Sequence, residues 1–386
     1  MNPLFSLTPS ELGPMINTWE HKIGGTLEVC LEITGLKPLV QLDTQVAKAQ
    51  PVASDPDCRR PAVHSSISGT VTDIKKDYIT IREEGTRVAP HVDFPEADSR
   101  TMLENLRRNG IDIRGMKQGC TLIVNAVPRE AGMDGHRILI EEFNDIMTVG
   151  LNYLKKAISP KECALAIPKG VDWTIQGCTG HEIEPVYPNS LPELITKAVT
   201  GRELPPQVCV IDAATLYRIG RTIHGRHPVT LVIVKIGNTP FLTPIGTPVG
   251  LLLKIAGFRP GEHDRVILGG PLTGRTIYNL KQGVNPNTQG IVVLRSPSGT
   301  TLKDNPCVGC GECVIRCPAR LMPNMISRHA EFRLYENCLS YNIASCFECG
   351  LCAYWCKAQR PILQYIRLAK KELAAQPIIE DLREQQ

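Results

Sequence analysis

The stretch CFECGLCAYWCKAQRP, residues 346–361, sets four cysteines at C-x2-C-x2-C-x3-C spacing. The same order stands upstream in CVGCGECVIRCP, residues 307–318. A cubane of iron and sulfide needs four thiolates converging from different directions, and two-residue gaps let one tight loop wrap three of them around a single cluster. Gly309, Gly311 and Gly350 allow close approach of the backbone and present its N–H groups to the sulfurs. The fourth cysteine, after a three-residue gap, leads away along a helical turn and typically ligates the other cluster of a pair. The expected ligand sets are therefore Cys307, Cys310, Cys313 and Cys356 for one [4Fe–4S] cluster, and Cys346, Cys349, Cys352 and Cys317 for the other.

Two structural zinc sites are the rival reading of these residues. Zinc motifs usually bring their ligands in separated pairs, or with histidines, whereas here four cysteines fall within eleven residues, twice. Two adjacent cubanes make a one-electron relay, whose potentials depend on hydrogen bonds to sulfur, nearby charge and exposure. In the second motif Lys357 replaces the proline that follows the fourth cysteine of the first, Pro318. Proline is no ligand, so the exchange need not cost the site. A lysine there adds positive charge, which favours the reduced form and raises the potential.

Working outward, the chain has 386 residues, 15 of them cysteine. Without a visible secretory signal in MNPLFSLTPSELGP, a disulfide framework explains the cysteines poorly, and clustered cysteines point to metal. Cys338, eight residues before Cys346, reads as a buried thiol rather than a ninth ligand. Cys30, Cys58, Cys120, Cys163, Cys178 and Cys209 read the same way. The formal net charge of +4 and the absence of a basic block argue against a nucleic-acid partner. No run is apolar for the 18 or so residues of a spanning helix, so the expectation is a cytoplasmic chain that reaches a membrane only through a partner. There is no H-E-x-x-H, and LGGPLTGR (268–275) lacks the G-K-[ST] of a P-loop and reads as a turn.

Residues 1–95 alternate in short strands, as in YITIREE, and suggest a small β-sandwich. Residues 96–226 alternate strand and helix, which favours a parallel sheet covered by helices. Here Ser99 is the expected cap of a helix running to Asn109, and residues 136–158 read as one helix. Ser190 is the expected cap of SLPELITKAVTG, with Gly201 past its end. Residues 227–300 read as a compact β-rich domain built on VTLVIVKIG, VGLLLKIAG and DRVILGGPLTG. Residues 301–376 hold the cysteine motifs and the helix PILQYIRLAKKELAAQ, and 377–386 form a frayed tail. The apolar stripe Ile362, Tyr365, Ile366 and Leu373 reads either as a docking face or as the face that packs on its own domain.

Taken end to end, the chain resembles the RnfC proteins of the Rnf electron-transport complex. VQLDTQVAKAQPVA and VHSSISGTVTDI resemble that family's biotinyl-like sandwich, and ITKAVTGRELPP a stretch of its middle domain. LGGPLTG resembles the close of a soluble-ligand-binding (SLBB-type) β-grasp module, and the cysteine motifs with QYIRLAKKEL resemble the dicluster ferredoxin end. The resemblance implies a multidomain α/β plus β fold: a biotinyl-like sandwich (1–95), a Rossmann-like α/β domain resembling the flavin subunit of complex I (96–226), an SLBB-like β-grasp (227–300) and a 2×[4Fe–4S] ferredoxin-like domain (301–376). It implies a peripheral subunit on the cytoplasmic side of the inner membrane. Its partners would be the membrane-embedded and peripheral subunits of an ion-translocating complex and a redox protein, whether ferredoxin, cytochrome or another subunit.

The chain also departs from that pattern. The family's glycine-rich G-x-G-G-A-G-F-P-T loop holds FMN and shapes the NADH site, and the corresponding place holds IDIRGMKQG, too short and with the wrong residues. NAVPREAG (125–132), with Glu130, retains only fragments of the acidic segment, and YPNSLPE (187–193) departs as well. FMN and NADH therefore do not carry over with the fold and the clusters. The rival function is a soluble iron–sulfur component of a reductase, of the cobalamin- or amino-acid-reductase accessory type. A scaffold with purely structural clusters is a third.

Overall fold

The computed structural model describes residues 16–18, 26–130, 132–203, 205–295 and 302–375. The expectations for the amino-terminal stretch 1–15 and the tail 377–386 lie outside them. The chain is a mixed α/β protein with several sheets, divided into two compact units. The first spans Met1–Gly270 and Arg275–Val293, and the second Pro271–Gly274 and Leu294–Gln386.

In the first unit, Glu28–Glu32, Tyr78–Glu83, Gly69–Ile74 and Gln45–Val46 form an antiparallel sheet in that order. Lys37–Pro38, Pro51–Ser54 and Val63–His64 form a second, smaller one. The alternation in YITIRE is realised as Ile79 and Ile81 facing inward, opposite Leu31 and Val29. Their core includes Val46, Val52, Ala53 and Val71, drawn from both sheets.

Next comes a four-stranded parallel sheet in the order Thr179–Ile183, Glu162–Pro168, Thr121–Asn125, Val208–Asp212. Leu122, Ile123 and Val124 are fully buried, as a central parallel strand covered on both faces requires. The helices Asn144–Ile158 and Ala213–Gly225 meet where Gly150 faces Gly220. A Cβ on Gly150 would lie 2.6 Å from the Leu216 carbonyl oxygen, and one on Gly220 would lie 1.8 Å from that of Ile146. Glycine at both places is what lets the helices cross so closely.

Several local expectations are corrected here. The cap of helix Ser99–Arg108 is Asp98, whose Oδ1 accepts from Thr101 N at 3.1 Å, and not Ser99. The Asp98 carboxylate accepts from the N–H of the third helical residue, so the helix opens one residue earlier than a Ser99 cap would set it. Residues 136–158 divide at Phe143 into Gly135–Glu142 and Asn144–Ile158. Ser190 does not cap Pro192–Thr200. The cap is Leu191, and the Ser190 hydroxyl donates instead to the Arg129 carbonyl at 2.7 Å. Gly201 ends that helix in the left-handed region, as expected.

The third part of this unit is a six-stranded mixed sheet. Its hairpin Leu231–Ile236/Thr239–Pro244 is flanked by Ile16–Asn17 on one side and by Gly290–Leu294, Arg265–Leu268 and Arg275–Ile277 on the other. VGLLLKIAG is not a strand. It forms the helix Val249–Ile255, because Val249, Leu252 and Leu253 sit at helical spacing and share one buried face.

In the second unit the helices Pro323–Glu331 and Ile362–Ala374 close a core of Ile326, Ala330, Ile362, Ile366, Ala369 and Leu373, with Cys313, Cys338 and Cys352 among them. Ile362, Ile366 and Leu373 are buried there, so the apolar stripe packs on its own unit. The segment Pro271–Gly274, read from sequence as a turn, belongs to this unit as well.

Candidate metal centres

The two cysteine motifs fold as local copies of each other, 39 residues apart in sequence. Gly311 (φ 74°) and Gly350 (φ 79°) cap the short helices Glu312–Ile315 and Leu351–Tyr354. Gly309 and Glu348 share a left-handed backbone, φ 68° and 55°, as do Arg320 and Gln359, φ 55° and 56°. The N–H of Leu321 donates to Cys317 Sγ at 3.4 Å, and that of Arg360 donates to Cys356 Sγ at 3.4 Å. Pro323–Glu331 and Ile362–Ala374 then begin at equivalent positions. Each motif is thus a loop wrapping three cysteines, a helical turn carrying the fourth, and a longer helix leading away.

The fourth cysteine of each motif lies near the first three of the other. Cys307, Cys356 and Cys310 bear electrostatically on Cys313, and Cys346 and Cys317 bear on Cys349. Cys317, Cys346, Cys349 and Cys352 together line one cavity that is partly open to solvent. Leu321, Leu363, Ile366, Pro318 and Pro323 supply its apolar wall. The other set is more open: Cys307 and Cys310 are exposed, Cys356 half-buried and Cys313 buried. Among the described residues no three His, Cys, Asp or Glu side chains converge tightly enough to hold a single metal ion.

These donors suit a polynuclear cluster. Backbone N–H groups already point at sulfur: besides those of Leu321 and Arg360, Glu348 N–H donates to Cys346 Sγ at 3.4 Å. Such bonds stabilise charge on cluster thiolates and tune them. Burial pushes the Cys349 thiol up to about 11 and raises Cys346, Cys352 and Cys313 also. These four thiols are therefore protonated at neutral pH, and loading a cluster on them releases protons.

The supporting shell was not read from the sequence. Glu348 bridges Arg367 Nε (3.1 Å) and Lys370 Nζ (3.0 Å) across the second loop. Burial works to raise its carboxyl, but Lys370 and Arg367 outweigh burial and hold it below the ordinary range. Lys370 Nζ also donates to the Cys346 carbonyl at 2.7 Å. Arg360, 4% exposed, donates to the Asn305 carbonyl at 2.7 Å and to Glu331 Oε2 at 2.6 Å. Arg316 stacks over Trp355 at 4.4 Å, joining the fourth-cysteine turns of the two motifs. Only the 39-residue offset, followed beyond the cysteines, could have pointed to Arg360 as the partner of Leu321. Cys338 is fully buried in the same core as Cys313 and Cys352, its thiol directed at the Ile326 carbonyl at 3.5 Å.

In the first unit the sequence reading missed a buried charged group at the carboxyl ends of the parallel strands. Asp212 caps the helix Ala213–Gly225 through Thr215 N at 2.6 Å. Arg218 donates to Thr215 Oγ1 and Asn287 Oδ1, both at 2.9 Å. Burial works to raise Asp212, but Arg218 and His136 hold it below the usual carboxylate range. The buried Lys235 pairs with Asp134. The segment IDIRGMKQG turns its backbone inward: Gly119 N–H donates to the Ile158 carbonyl at 2.7 Å and Lys117 N–H to Cys209 Sγ at 3.3 Å.

A multidomain α/β protein ending in a doubled four-cysteine motif is the class that these observations define. Curated RnfC proteins, the C components of ion-translocating oxidoreductase complexes, are similar to it along most of its length, as the sequence resemblance implied. That of Yersinia pseudotuberculosis serotype O:3 is 27% identical over 87% of this chain and 55% of its own length. That of Yersinia enterocolitica is 28% identical over 74% and 46%, and that of Buchnera aphidicola 23% identical over 86% and 80%. The chain thus spans little more than half the length of the Yersinia pseudotuberculosis relative. No family model matches the chain. A chain of an NAD+-reducing [NiFe]-hydrogenase in the H2-reduced state aligns with a TM-score of 0.39 at 16% identity, covering 67% of this chain and 56% of that one, too loose a likeness to bear on fold or chemistry. No helix among the described residues is long and apolar enough to cross a membrane.

Proposed function

We propose that the chain is an electron-transfer subunit of a membrane-bound, ion-translocating oxidoreductase complex, peripheral to the membrane on its cytoplasmic side. Cys307, Cys310, Cys313 and Cys356 would hold one [4Fe–4S] cluster, and Cys346, Cys349, Cys352 and Cys317 the other. When bound, such a pair supplies one-electron transfer between two neighbouring centres. The single observation that carries this reading is that Cys356 bears on Cys313 and Cys317 on Cys349, each fourth cysteine standing near ligands of the other loop. Zinc motifs usually bring their ligands in separated pairs or with histidines, whereas here all four cysteines of each motif fall within eleven residues.

The chain's own residues then divide the work. Leu321, Leu363 and Ile366 give the second set an apolar wall. Lys370 and Arg367 fix the loop through Glu348 and add positive charge beside it. The exposed first set faces the medium from which a partner redox protein would approach. We assign the domains as a biotinyl-like sandwich, a Rossmann-like domain, an SLBB-type β-grasp and a dicluster ferredoxin-like end, at the boundaries given above. FMN and NADH are left out of the assignment, because IDIRGMKQG is short and spends backbone donors within the fold.

The test is fractionation of cells producing the tagged chain. Sedimentation with membranes, release by high salt and co-purification of membrane-spanning subunits support the proposal. A chain that stays in the supernatant and co-purifies with a soluble reductase overturns it in favour of the accessory-protein reading. Stoichiometric flavin with rapid NADH-driven reduction would overturn the exclusion of those cofactors.

A further inference from the structure

The parallel sheet of the first unit contains a second thiol chemistry that the electron relay does not use. Cys163 lies in the strand Glu162–Pro168, and Cys178 immediately precedes the strand Thr179–Ile183. The parallel register Ala164↔Thr179 sets Cys163 opposite Cys178, on the same face. Opposed residues on neighbouring strands lie about 4.8 Å apart, inside the roughly 4.4–6.8 Å that a disulfide spans between Cα atoms. The two thiols are near enough to shift each other's ionisation.

Access and charge distinguish this pair from the other one in the sheet. Cys120 and Cys209 also interact, but they are 0% and 3% exposed. Cys163 and Cys178 are only half-buried. Lys155, in the last turn of the helix Asn144–Ile158, donates from Nζ to the Gly177 carbonyl at 2.9 Å, which fixes an ammonium beside the pair. The Cys178 thiol, and then Lys155, hold Cys163 down to about 7 against the effect of burial. A thiolate that is populated at neutral pH, partly exposed and next to a second thiol is the arrangement that favours exchange.

We propose that Cys163 and Cys178 form a reversible dithiol–disulfide site that reacts with low-molecular-weight disulfides such as oxidised glutathione. The Cys163 thiolate attacks one sulfur of the small disulfide. A protein–glutathione bond forms, the S–S bond breaks, and one glutathione thiolate leaves. The Cys178 sulfur then attacks Cys163 Sγ and expels the second glutathione. The protein loses two electrons and two protons, and both pass to the two glutathione thiols. Lys155 is a positioning residue that stabilises the attacking thiolate and touches no incoming atom in the second step.

The test is made on the full-length chain, purified anaerobically, exposed to oxidised glutathione, quenched with acid, alkylated and mapped by mass spectrometry. The expected result is a Cys163–Cys178 linked peptide, with Cys120 and Cys209 recovered as free thiols. Cys178→Ser should retain glutathione on Cys163. Lys155→Met should slow closure at pH 7 by about fivefold or more and leave the rate at pH 9 unchanged, because the thiolate then forms unaided. A merely structural lysine would slow both alike, and that result would remove Lys155 from the mechanism as stated. Full alkylation of both cysteines after oxidant, or glutathione on Cys163 of the unaltered chain without closure, overturns the proposal.

Discussion

Lys357 stands where Pro318 stands in the first motif, yet the backbone that follows is the same: Arg320 and Gln359 have φ of 55° and 56°, and each fourth cysteine accepts an N–H four residues on. Proline is thus not what shapes the turn, and the lysine's effect is electrostatic. Because Lys357 is exposed, solvent screens it. Lys357→Pro is expected to lower one midpoint potential slightly in a redox titration, and an unchanged or higher value would contradict this. The crossed ligand assignment is tested by single serine variants. The EPR spectrum of reduced Cys317→Ser should lose the component that Cys349→Ser loses, and Cys356→Ser should match Cys310→Ser. Losses that follow sequence neighbours instead would refute the crossing. The cysteines and their spacing were legible without coordinates because ligand chemistry demands them. Glu348, Arg367 and Lys370 were not, since ion pairs between a loop and a distant helix carry no spacing signature.

At the scale of elements, the second loop depends on Gly350. Its φ is +79°, and a Cβ there would stand 2.8 Å from the Leu272 carbonyl oxygen. Gly350→Ala combines left-handed strain with a backbone clash and should cost about 2 kcal/mol or more. The readout is a lower urea midpoint for the second unit together with loss of about half the bound iron. Full iron with an unchanged midpoint would contradict it.

A second element-scale test lies in the amino-terminal strands. Burial pushes His64 down to about 4. The unfolded chain therefore binds a proton that the folded chain refuses between about pH 6.5 and 4, so stability present above pH 6.5 is lost as pH falls through that window. The loss amounts to about 3 kcal/mol. Melting temperature should drop over this range, and His64→Gln should flatten the drop. An equal slope in both proteins would remove His64 as its source. Periodicity made most strands and helices readable here, among them Val208–Asp212 and Ala213–Gly225. It failed at VGLLLKIAG, where a short apolar run suits strand or helix alike until its neighbours choose. It failed again at the caps, where Asp98 and Leu191 took the places assigned to Ser99 and Ser190.

For the whole molecule, the coarse class was readable, a mixed α/β chain with several sheets, and the likeness to RnfC proteins extends over 87% of the chain in the Yersinia pseudotuberculosis relative. What sequence did not convey was tertiary bookkeeping. Ile16–Asn17 joins a sheet whose other strands begin at Leu231, and Pro271–Gly274 clusters with the cysteine-bearing unit rather than with its neighbours in sequence. Long-range pairings of this kind depend on the finished fold and leave no local pattern. The central claim concerns what the eight clustered cysteines hold, and elemental analysis after anaerobic purification reaches it most directly. Two cubanes predict about eight iron and eight acid-labile sulfide per chain, with no zinc. One or two zinc ions per chain, without sulfide, would contradict it.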